Sequence, residues 1–454
     1  VHKIIIILSI ISPIFLANYS YSQDKLRIIS PHWDGYRREI ESGFIDYYKK
    51  NYNKEVKIEW LDLGGASDIL RNLISRKQAN AEISADVLFG GGIDTYLALQ
   101  KEGFLHSALI SENLLSQIPS KIGGNIVYDI NKQFFSVTFT TFGIAYNKVL
   151  LDKLNLSAPS LYKDLASSNW RNRISFSDPR KSGTSRFMCE LILQRYGWVE
   201  GWQILYKIAS NVRSFAVHSS QGPKDISSGD AVAALMVDSY AYEAIRKMGE
   251  DRIKYKVPED GNSYFGDPIA LLASSTNKFL AEKFIEFVLS EEGGQSIVSL
   301  TPGVNFGPKK FQLSRLPVLP SVYDNPNIIR NEKPFSKKLD FEYDQNTATD
   351  RWNYLTTLLG ILVDFHSDFV HARYTNDKDF SLLEPPIEEV QLFSLVNDNS
   401  HHKEKNFLKI QLATQKKLLE QLESKNVFSF KYFIIFIGLA WFCIKAYVVF
   451  LRPK

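Results

Sequence analysis

The run Asp178-Pro179-Arg180-Lys181-Ser182-Gly183-Thr184-Ser185 gathers three hydroxyls, one glycine and two cations just ahead of a stretch with helical spacing. Hydroxyls donate hydrogen bonds, glycine lets a ligand approach the backbone closely, and the free N–H groups and dipole of a helix start favour an anion. The same segment reads equally as a plain N-cap ahead of Phe187, Leu191 and Ile192. Ser219 and Ser220 precede another apparent helix start, where they either add donors or form an ordinary polar loop. The phosphate loop, the His-Glu-x-x-His zinc helix and the Gly-x-Ser-x-Gly elbow are all missing from the sequence, so no local motif argues for an enzyme. His32 as base with Asp238 as its orienter is the one catalytic pairing to weigh, for a hydrolase, and it is the weakest reading. The pair His401-His402 lacks partner ligands at metal-binding spacing.

The elements that must carry these residues alternate. Leu26 to Ser30 is an aliphatic strand, followed by the loop Pro31-His32-Trp33-Asp34-Gly35 and an amphipathic helix from Tyr36 to about Lys50. Val56 to Leu63 repeats the unit, with Gly64, Gly65, Ala66 and Ser67 leading into a helix over Asp68 to Arg76. Ala85 to Phe89 forms a third strand that ends in Gly90, Gly91 and Gly92 before a helix through Leu99. A second alternating region follows the aromatic stretch Phe134 to Tyr146. It has a strand at Ile174 to Phe176, helices to about Tyr196 and over Trp198 to Ser210, and a strand at Ala231 to Val237. Strands alternating with helices predict mostly parallel sheets covered on both faces, with ligand loops beyond the strand C-termini. Asp267 to Ala273 is placed to carry the chain back to the first lobe. The parse is two α/β lobes joined by crossovers around a hinged cleft.

Composition and the two ends set the context. The chain has 454 residues, 44% apolar and 23% charged, with a net charge of +4, a folded globular composition rather than a disordered one. Most of the positive excess sits at the ends, in Lys3 and in Lys431, Lys445, Arg452 and Lys454. The body is therefore nearly neutral, and nothing in its overall charge argues for nucleic acid. Residues 1–22 read as a signal peptide, with an apolar run from Ile4 to Leu16 and a small-x-small ending at Ser20 and Ser22. Tyr432 to Leu451 has the length of a bilayer span, interrupted by Lys445, and the basic end favours a cytoplasmic C-terminus. Cys189 and Cys443 are the only cysteines, so an exported body has no disulfide framework. Arg351 to Arg373 has helical periodicity, with Trp352, Leu355, Leu358, Leu359, Leu362, Phe365 and Phe369 as the buried stripe. The expected division is a signal peptide at 1–22, lobe 1 at 23–138 and 266–330, lobe 2 at 139–265, a helical extension at 331–400, a stalk at 401–430 and an anchor at 431–451.

An ordered series carries a family resemblance: Ile29-Ser30-Pro31-His32-Trp33, Trp60 to Gly65, Phe89 to Gly92, Phe142 to Asn147, Asp178 to Ser185, and Asp238 to Tyr242. Over roughly residues 25 to 310 the chain resembles an extracellular solute-binding protein of an ABC importer, from the branch that includes ferric-iron, phosphonate and sugar-phosphate binding proteins. The resemblance implies a type II periplasmic-binding fold, a ligand held between two lobes without catalysis or cofactor, and docking on a permease served by an ATPase. Carried over by position, it implies ligand contacts at His32, Trp33, Gly65, Ala66, Ser67, Gly91, Gly92, Ser182, Gly183, Thr184, Ser185, Ser219, Ser220, Asp238 and Tyr240. The ferric branch uses adjacent tyrosines as phenolate ligands where this chain has Asp238, Tyr240 and Tyr242. Iron held by His32, Tyr240 and Tyr242 is thus the alternative to a small organic, phosphorylated anion. A location outside the cytoplasmic membrane, anchored by the C-terminal helix, follows for the importer. The anchor also opens the alternative of a sensory or scaffold module that signals to a membrane partner.

Overall fold

The computed structural model describes residues 24–396 except 123, 262, 331, 333, 337–340 and 376–382, and beyond them 407–409, 412–413, 415–418 and 420. The expected signal peptide and membrane anchor, His401, His402 and Cys443 lie outside the described residues, as does most of the stalk. Among the described residues no helix is long and apolar enough to cross a membrane.

The strands run in chain order as β1 (Asp24–Ile29), β2 (Val56–Leu61), β3 (Val87–Phe89), β4 (Leu105–His106), β5 (Lys121–Ile122), β6 (Asn125–Ile126), β7 (Phe135–Thr140), β8 (Phe142–Asn147), β9 (Ile174–Ser177), β10 (Val212–Ala216), β11 (Ala233–Val237), β12 (Ile253–Lys256), β13 (Phe265–Leu272) and β14 (Leu316–Pro317). Two sheets result. The first has the order β14-β7-β13-β3-β1-β2 with β4 beside β13, and the second the order β10-β9-β11-β8-β12. Each begins as expected, because a strand followed by a helix returns in parallel register: β1 pairs parallel with β2 and β3, and β9 with β10 and β11.

The mostly parallel expectation needs correction, since both sheets are mixed. β13 runs antiparallel to β3, β4 and β7, and β8 antiparallel to β11 and β12. These strands enter from the other lobe, so no crossover helix sets their direction. The single aromatic run Phe134 to Tyr146 is divided at Thr141 between the two sheets.

Asp238 pins this crossover. Its fully buried carboxylate accepts from Thr140 Oγ1 at 2.7 Å and Thr141 N–H at 3.1 Å. Arg330, also buried, donates to it at 2.6 Å and to Glu332 at 2.8 Å. One carboxylate thus ties the helix Asp238–Met248 of lobe 2 to the crossover and to the chain leaving lobe 1.

A helical extension then packs on lobe 2. The expected stripe from Trp352 to Phe369 is buried throughout, in the helices Trp352–Asp364 and His366–Thr375 and at Phe365 between them. Arg351 fixes its start: Nη2 and Nε meet the two Glu190 oxygens at 2.7 and 3.1 Å, and Nη1 meets Glu389 at 2.8 Å. The extension also touches lobe 1 through the Lys101–Asp350 ion pair at 2.5 Å.

Removing one partner from a buried ion pair leaves the other charge uncompensated, which costs about 3–5 kcal/mol. Asp238→Ala should lose that much stability in urea denaturation. A loss within 0.5 kcal/mol, the usual size of a surface change, would contradict the pinning role.

Candidate functional site

The loops after β1, β2 and β3 in lobe 1 face those after β9, β10 and β11 in lobe 2 across a cavity of about 410 Å³. Twelve expected site residues line it: His32, Trp33, Gly65, Ala66, Gly91, Gly92, Ser182, Gly183, Thr184, Ser219, Ser220 and Tyr240.

The glycines between β3 and the helix Ile93–Lys101 have φ values of +92°, +105° and +78° at Gly90, Gly91 and Gly92, a region that disfavours any side chain. A Cβ at Gly90 would also stand 2.5 Å from the His32 ring. The turn is therefore built around the histidine.

His32 itself is fully engaged. Its Nδ1 meets Ser30 Oγ at 3.0 Å and its Nε2 meets Asp267 Oδ2 at 2.9 Å, while the ring stacks on Tyr36 at 4.0 Å. Burial pulls the imidazole below its ordinary value, outweighing Asp267. In the neutral ring this geometry fits, Nε2–H donates to Asp267 and Nδ1 accepts from Ser30, so neither nitrogen is left for a metal or a substrate proton. The hydrolase pairing fails as well: the carboxylate beside His32 is Asp267, and Asp238 sits at the hinge.

The iron set does not converge either. Tyr240 lines the cavity, with burial raising its phenol. The Tyr242 hydroxyl instead donates to Glu332 at 2.9 Å beside Arg330, because positions two apart in one helical turn fall on roughly opposite faces. Among the described residues no three His, Cys, Asp or Glu side chains gather as a metal site. Asp238, Ser185 and Ser67 are set behind the wall rather than in it. The Ser185 N–H donates to Ser182 Oγ at 3.2 Å, so Ser182 is a true N-cap as well as a lining residue.

What the sheets bring together is a pair of helix starts. The helix Ala66–Gln78 of lobe 1 and the helix Gly183–Tyr196 of lobe 2 meet end to end, so that a Cβ on Gly183 would lie 3.2 Å from Ala66 Cβ and 3.8 Å from Ser67 Oγ. Among the described residues the amides of Ala66, Ser67, Gly183 and Thr184 have no acceptor, and the Ser67 hydroxyl, 3% exposed, has no partner.

Charge on the lining sorts by pairing. Asp94 pairs with Arg186 across the lobes at 2.8 Å and Asp62 at the open rim with Arg37 at 3.7 Å, while Asp267 accepts from the neutral His32 ring and keeps its charge. That leaves two lining cations without an ion-pair or hydrogen-bond partner for the side chain among the described residues, Lys181 and Arg315. Arg315 is 9% exposed, 5.6 Å from the Tyr36 ring and one residue before β14, with its N–H tied to Val298 C=O at 2.8 Å. Sequence reasoning missed it, since no glycine or helix start marks the segment. The one sign is an arginine inside the apolar run Leu313 to Leu319.

Asp94, in the first turn of the helix Ile93–Lys101, accepts from Arg186 and, at 3.0 Å, from the Tyr343 hydroxyl. Burial outweighs Arg186 and raises its carboxyl to about 6. The Arg186 guanidinium lies 3.1 Å from the centroid of Trp352, which the extension contributes to the cavity wall. Phe142, Phe187 and Phe265 complete an aromatic floor, with centroids 4.4 and 4.7 Å apart along the series.

Residues 84–309 match the family of bacterial extracellular solute-binding proteins. The chain is 24% identical over 220 residues to the phosphoglycerate transport regulatory protein PgtC of Salmonella typhimurium, covering 48% of this chain and 52% of that protein. It thus spans about half the length of the curated relative it matches. In fold it is similar to the periplasmic binding protein AfuA from Actinobacillus pleuropneumoniae, solved with fructose-6-phosphate bound, at 18% identity over 77% of this chain and 99% of that one with a TM-score of 0.59. It is also similar to the ferric binding protein from Campylobacter jejuni, at 18% identity over 76% and 99% with a TM-score of 0.51. At these identities the likeness concerns the fold.

Two outcomes follow from the geometry. Gly183→Val should weaken ligand binding at least tenfold while sparing the thermal midpoint of the unliganded protein, because the branched side chain wedges against Ala66 and holds the lobes apart. Small-angle scattering should show a larger radius with ligand than the wild type has, and equal affinity would reject the role. Asp94 has a folded value above its ordinary 3.8, so the folded state holds this proton more tightly. Its contribution to stability is full below about pH 4 and is lost as the pH rises to about 6. The thermal midpoint of wild type relative to Asp94→Asn should fall across that window, and a flat difference would contradict it.

Proposed function

We propose that this chain, whose residues 84–309 form a bacterial extracellular solute-binding domain, captures a small phosphorylated organic anion between its lobes and delivers it to an ABC permease and its ATPase. The observation that carries this reading is Arg315, a nearly buried guanidinium whose side chain has no ion-pair or hydrogen-bond partner among the described residues, in the same cavity as unpartnered amides from two helix starts. A buried charge is costly unless it is paired. A phosphate supplies charge and several acceptor oxygens at once, and guanidinium matches it in a two-pronged geometry. The cavity of about 410 Å³ lies within the range of small-molecule sites.

Ferric iron is the poorer fit. Both His32 nitrogens are occupied, Tyr242 points to Glu332, and on balance the leftover lining charge is positive, Lys181 and Arg315 against Asp267, which disfavours a trivalent cation. The printed names of the relatives agree with the anion without deciding it: PgtC is named for phosphoglycerate transport, and AfuA was solved with fructose-6-phosphate. PgtC is also named a regulatory protein, which favours a second reading in which the same ligand-driven closure is sensed by a membrane partner. Co-purification would separate the two: a permease and ATPase supports delivery, and a signalling protein alone supports sensing.

Calorimetry against phosphomonoesters tests the binding claim. Hydrogen bonds to a charged group contribute about 1.5–3 kcal/mol, so Arg315→Ala should weaken binding by about 10- to 100-fold. Arg315→Lys should restore part of it, as charge returns without the planar fork. Unchanged affinity in Arg315→Ala would overturn the reading. A visible absorption band on adding ferric citrate, lost in Tyr240→Phe, would restore iron.

A further inference from the structure

The helical extension lies beyond residues 84–309, the part of the chain that matches the solute-binding family, yet it grips both lobes. Its hold on lobe 2 is extensive. Leu355, Leu358, Leu359, Leu362 and Phe369 join the apolar core of that lobe, and the helices Trp352–Asp364 and His366–Thr375 pack on the helix Trp198–Asn211. Trp198 Nε1 donates to Ile387 C=O at 2.7 Å, and Gln194 and Asp344 exchange two hydrogen bonds at 2.8 and 3.0 Å. Asp364 holds Arg180, in the turn ahead of Ser182, at 2.8 Å.

The hold on lobe 1 is narrow. Three consecutive residues alternate between the lobes: Asp350 pairs with Lys101 of lobe 1, Arg351 with Glu190 of lobe 2, and Trp352 joins the buried lobe 1 cluster that contains Ile69, Leu73 and Ile93. Tyr343 spans both lobes with one side chain. Its ring lies 4.8 Å from that of Phe187 in lobe 2, centroid to centroid, and its hydroxyl donates to Asp94 of lobe 1 at 3.0 Å. Between these points the short helix Gln345–Asp350 packs on the helix Ile93–Lys101.

This asymmetry decides what moves. A shared apolar core and a buried, two-pronged ion pair are far harder to break than an exposed ion pair, one hydroxyl contact and one ring. Opening the lobes therefore leaves the extension on lobe 2 and parts Asp350, Trp352 and Tyr343 from lobe 1, a loss that falls on the open arrangement alone. Glu190 belongs to the helix Gly183–Tyr196, so the hold acts on the element whose start faces Ala66 and opposes the repulsion between the two helix starts. Raising the population of the binding-competent arrangement tightens binding without adding a contact to the ligand.

We propose that the extension is a clasp that rides on lobe 2 and holds lobe 1, shifting the balance toward the closed cleft and slowing release of the solute. This rests on the reading above that a solute is captured between the lobes, and not on which solute it is.

Small-angle scattering from the unliganded full chain tests the clasp without a ligand. Asp350→Lys sets like charges together at an exposed site, where it spares the fold, and Tyr343→Phe removes only the hydroxyl that reaches Asp94. Each should enlarge the unliganded radius of gyration, and the two together should enlarge it further. Adding Lys101→Asp to Asp350→Lys restores the pair with its signs exchanged and should return the radius to that of the wild type. In stopped-flow measurements the combined variant should release a bound phosphomonoester about threefold faster or more, with its association rate nearly unchanged. Radii equal to the wild type overturn the clasp, and so does release at the wild-type rate; either result leaves the anion reading intact. If no phosphomonoester binds the wild type, the anion reading falls and the radius alone decides the clasp. Where Tyr343→Phe gives no cooperative melt, Asp350→Lys and its rescue carry the test.

Discussion

Two helices of opposite lobes point their positive ends at each other across the cleft, with only Ala66, Ser67 and Gly183 between them. Each helix start carries a partial positive charge and N–H groups that want an acceptor. Bringing two such ends together is unfavourable unless negative charge enters the gap. An anion then does two things at once: it satisfies the amides of both lobes and removes the repulsion between them. Arg315 reinforces the same demand from lobe 1. Capture and closure are thus one electrostatic event, and the absence of a side chain on Gly183 is what lets the two ends come within reach.

The rest of the molecule restricts how the lobes can move around that gap. Asp238 and Arg330 fix the crossover with a buried ion pair, while Asp94 of lobe 1, Arg186 of lobe 2 and Tyr343 of the extension are joined by hydrogen bonds. The extension straddles both lobes, held to lobe 2 by Arg351 and Glu190 and to lobe 1 by Lys101 and Asp350. Buried pairs of this kind are weak sources of net stability, since desolvation offsets much of their attraction. Their geometry is specific, though, and that fixes the register of one lobe against the other. The raised carboxyl of Asp94 marks where desolvation wins over pairing.

Much of this was legible in the residues. The alternation of strand and helix, the glycine turn after β3 and the buried stripe from Trp352 to Phe369 follow from periodicity and from what each residue type can do locally. The hydroxyl-rich turn at Ser182 was legible too, and both of its readings hold at once, since Ser182 caps the helix while Gly183 and Thr184 face the cavity. Long-range partners were not legible. His32 looked like a free ligand because nothing near it in sequence reveals Asp267, 235 residues away. Asp238 looked like a site residue because it begins a helix after a strand, yet Arg330 draws it to the hinge. Tyr240 and Tyr242 looked alike, and the turn of one helix sends one to the cavity and the other to Glu332.

The sequence by itself determined the local elements, the two α/β repeats and the chemistry available at each loop, because these depend on neighbours a few residues apart. Only the tertiary structure decided which charges remain unpaired. Pairing depends on side chains dozens or hundreds of positions apart meeting in a low-dielectric interior, where a single carboxylate neutralises one arginine and leaves another bare. That is why Arg186 and Arg315, the same residue type lining one cavity, differ in what they can bind.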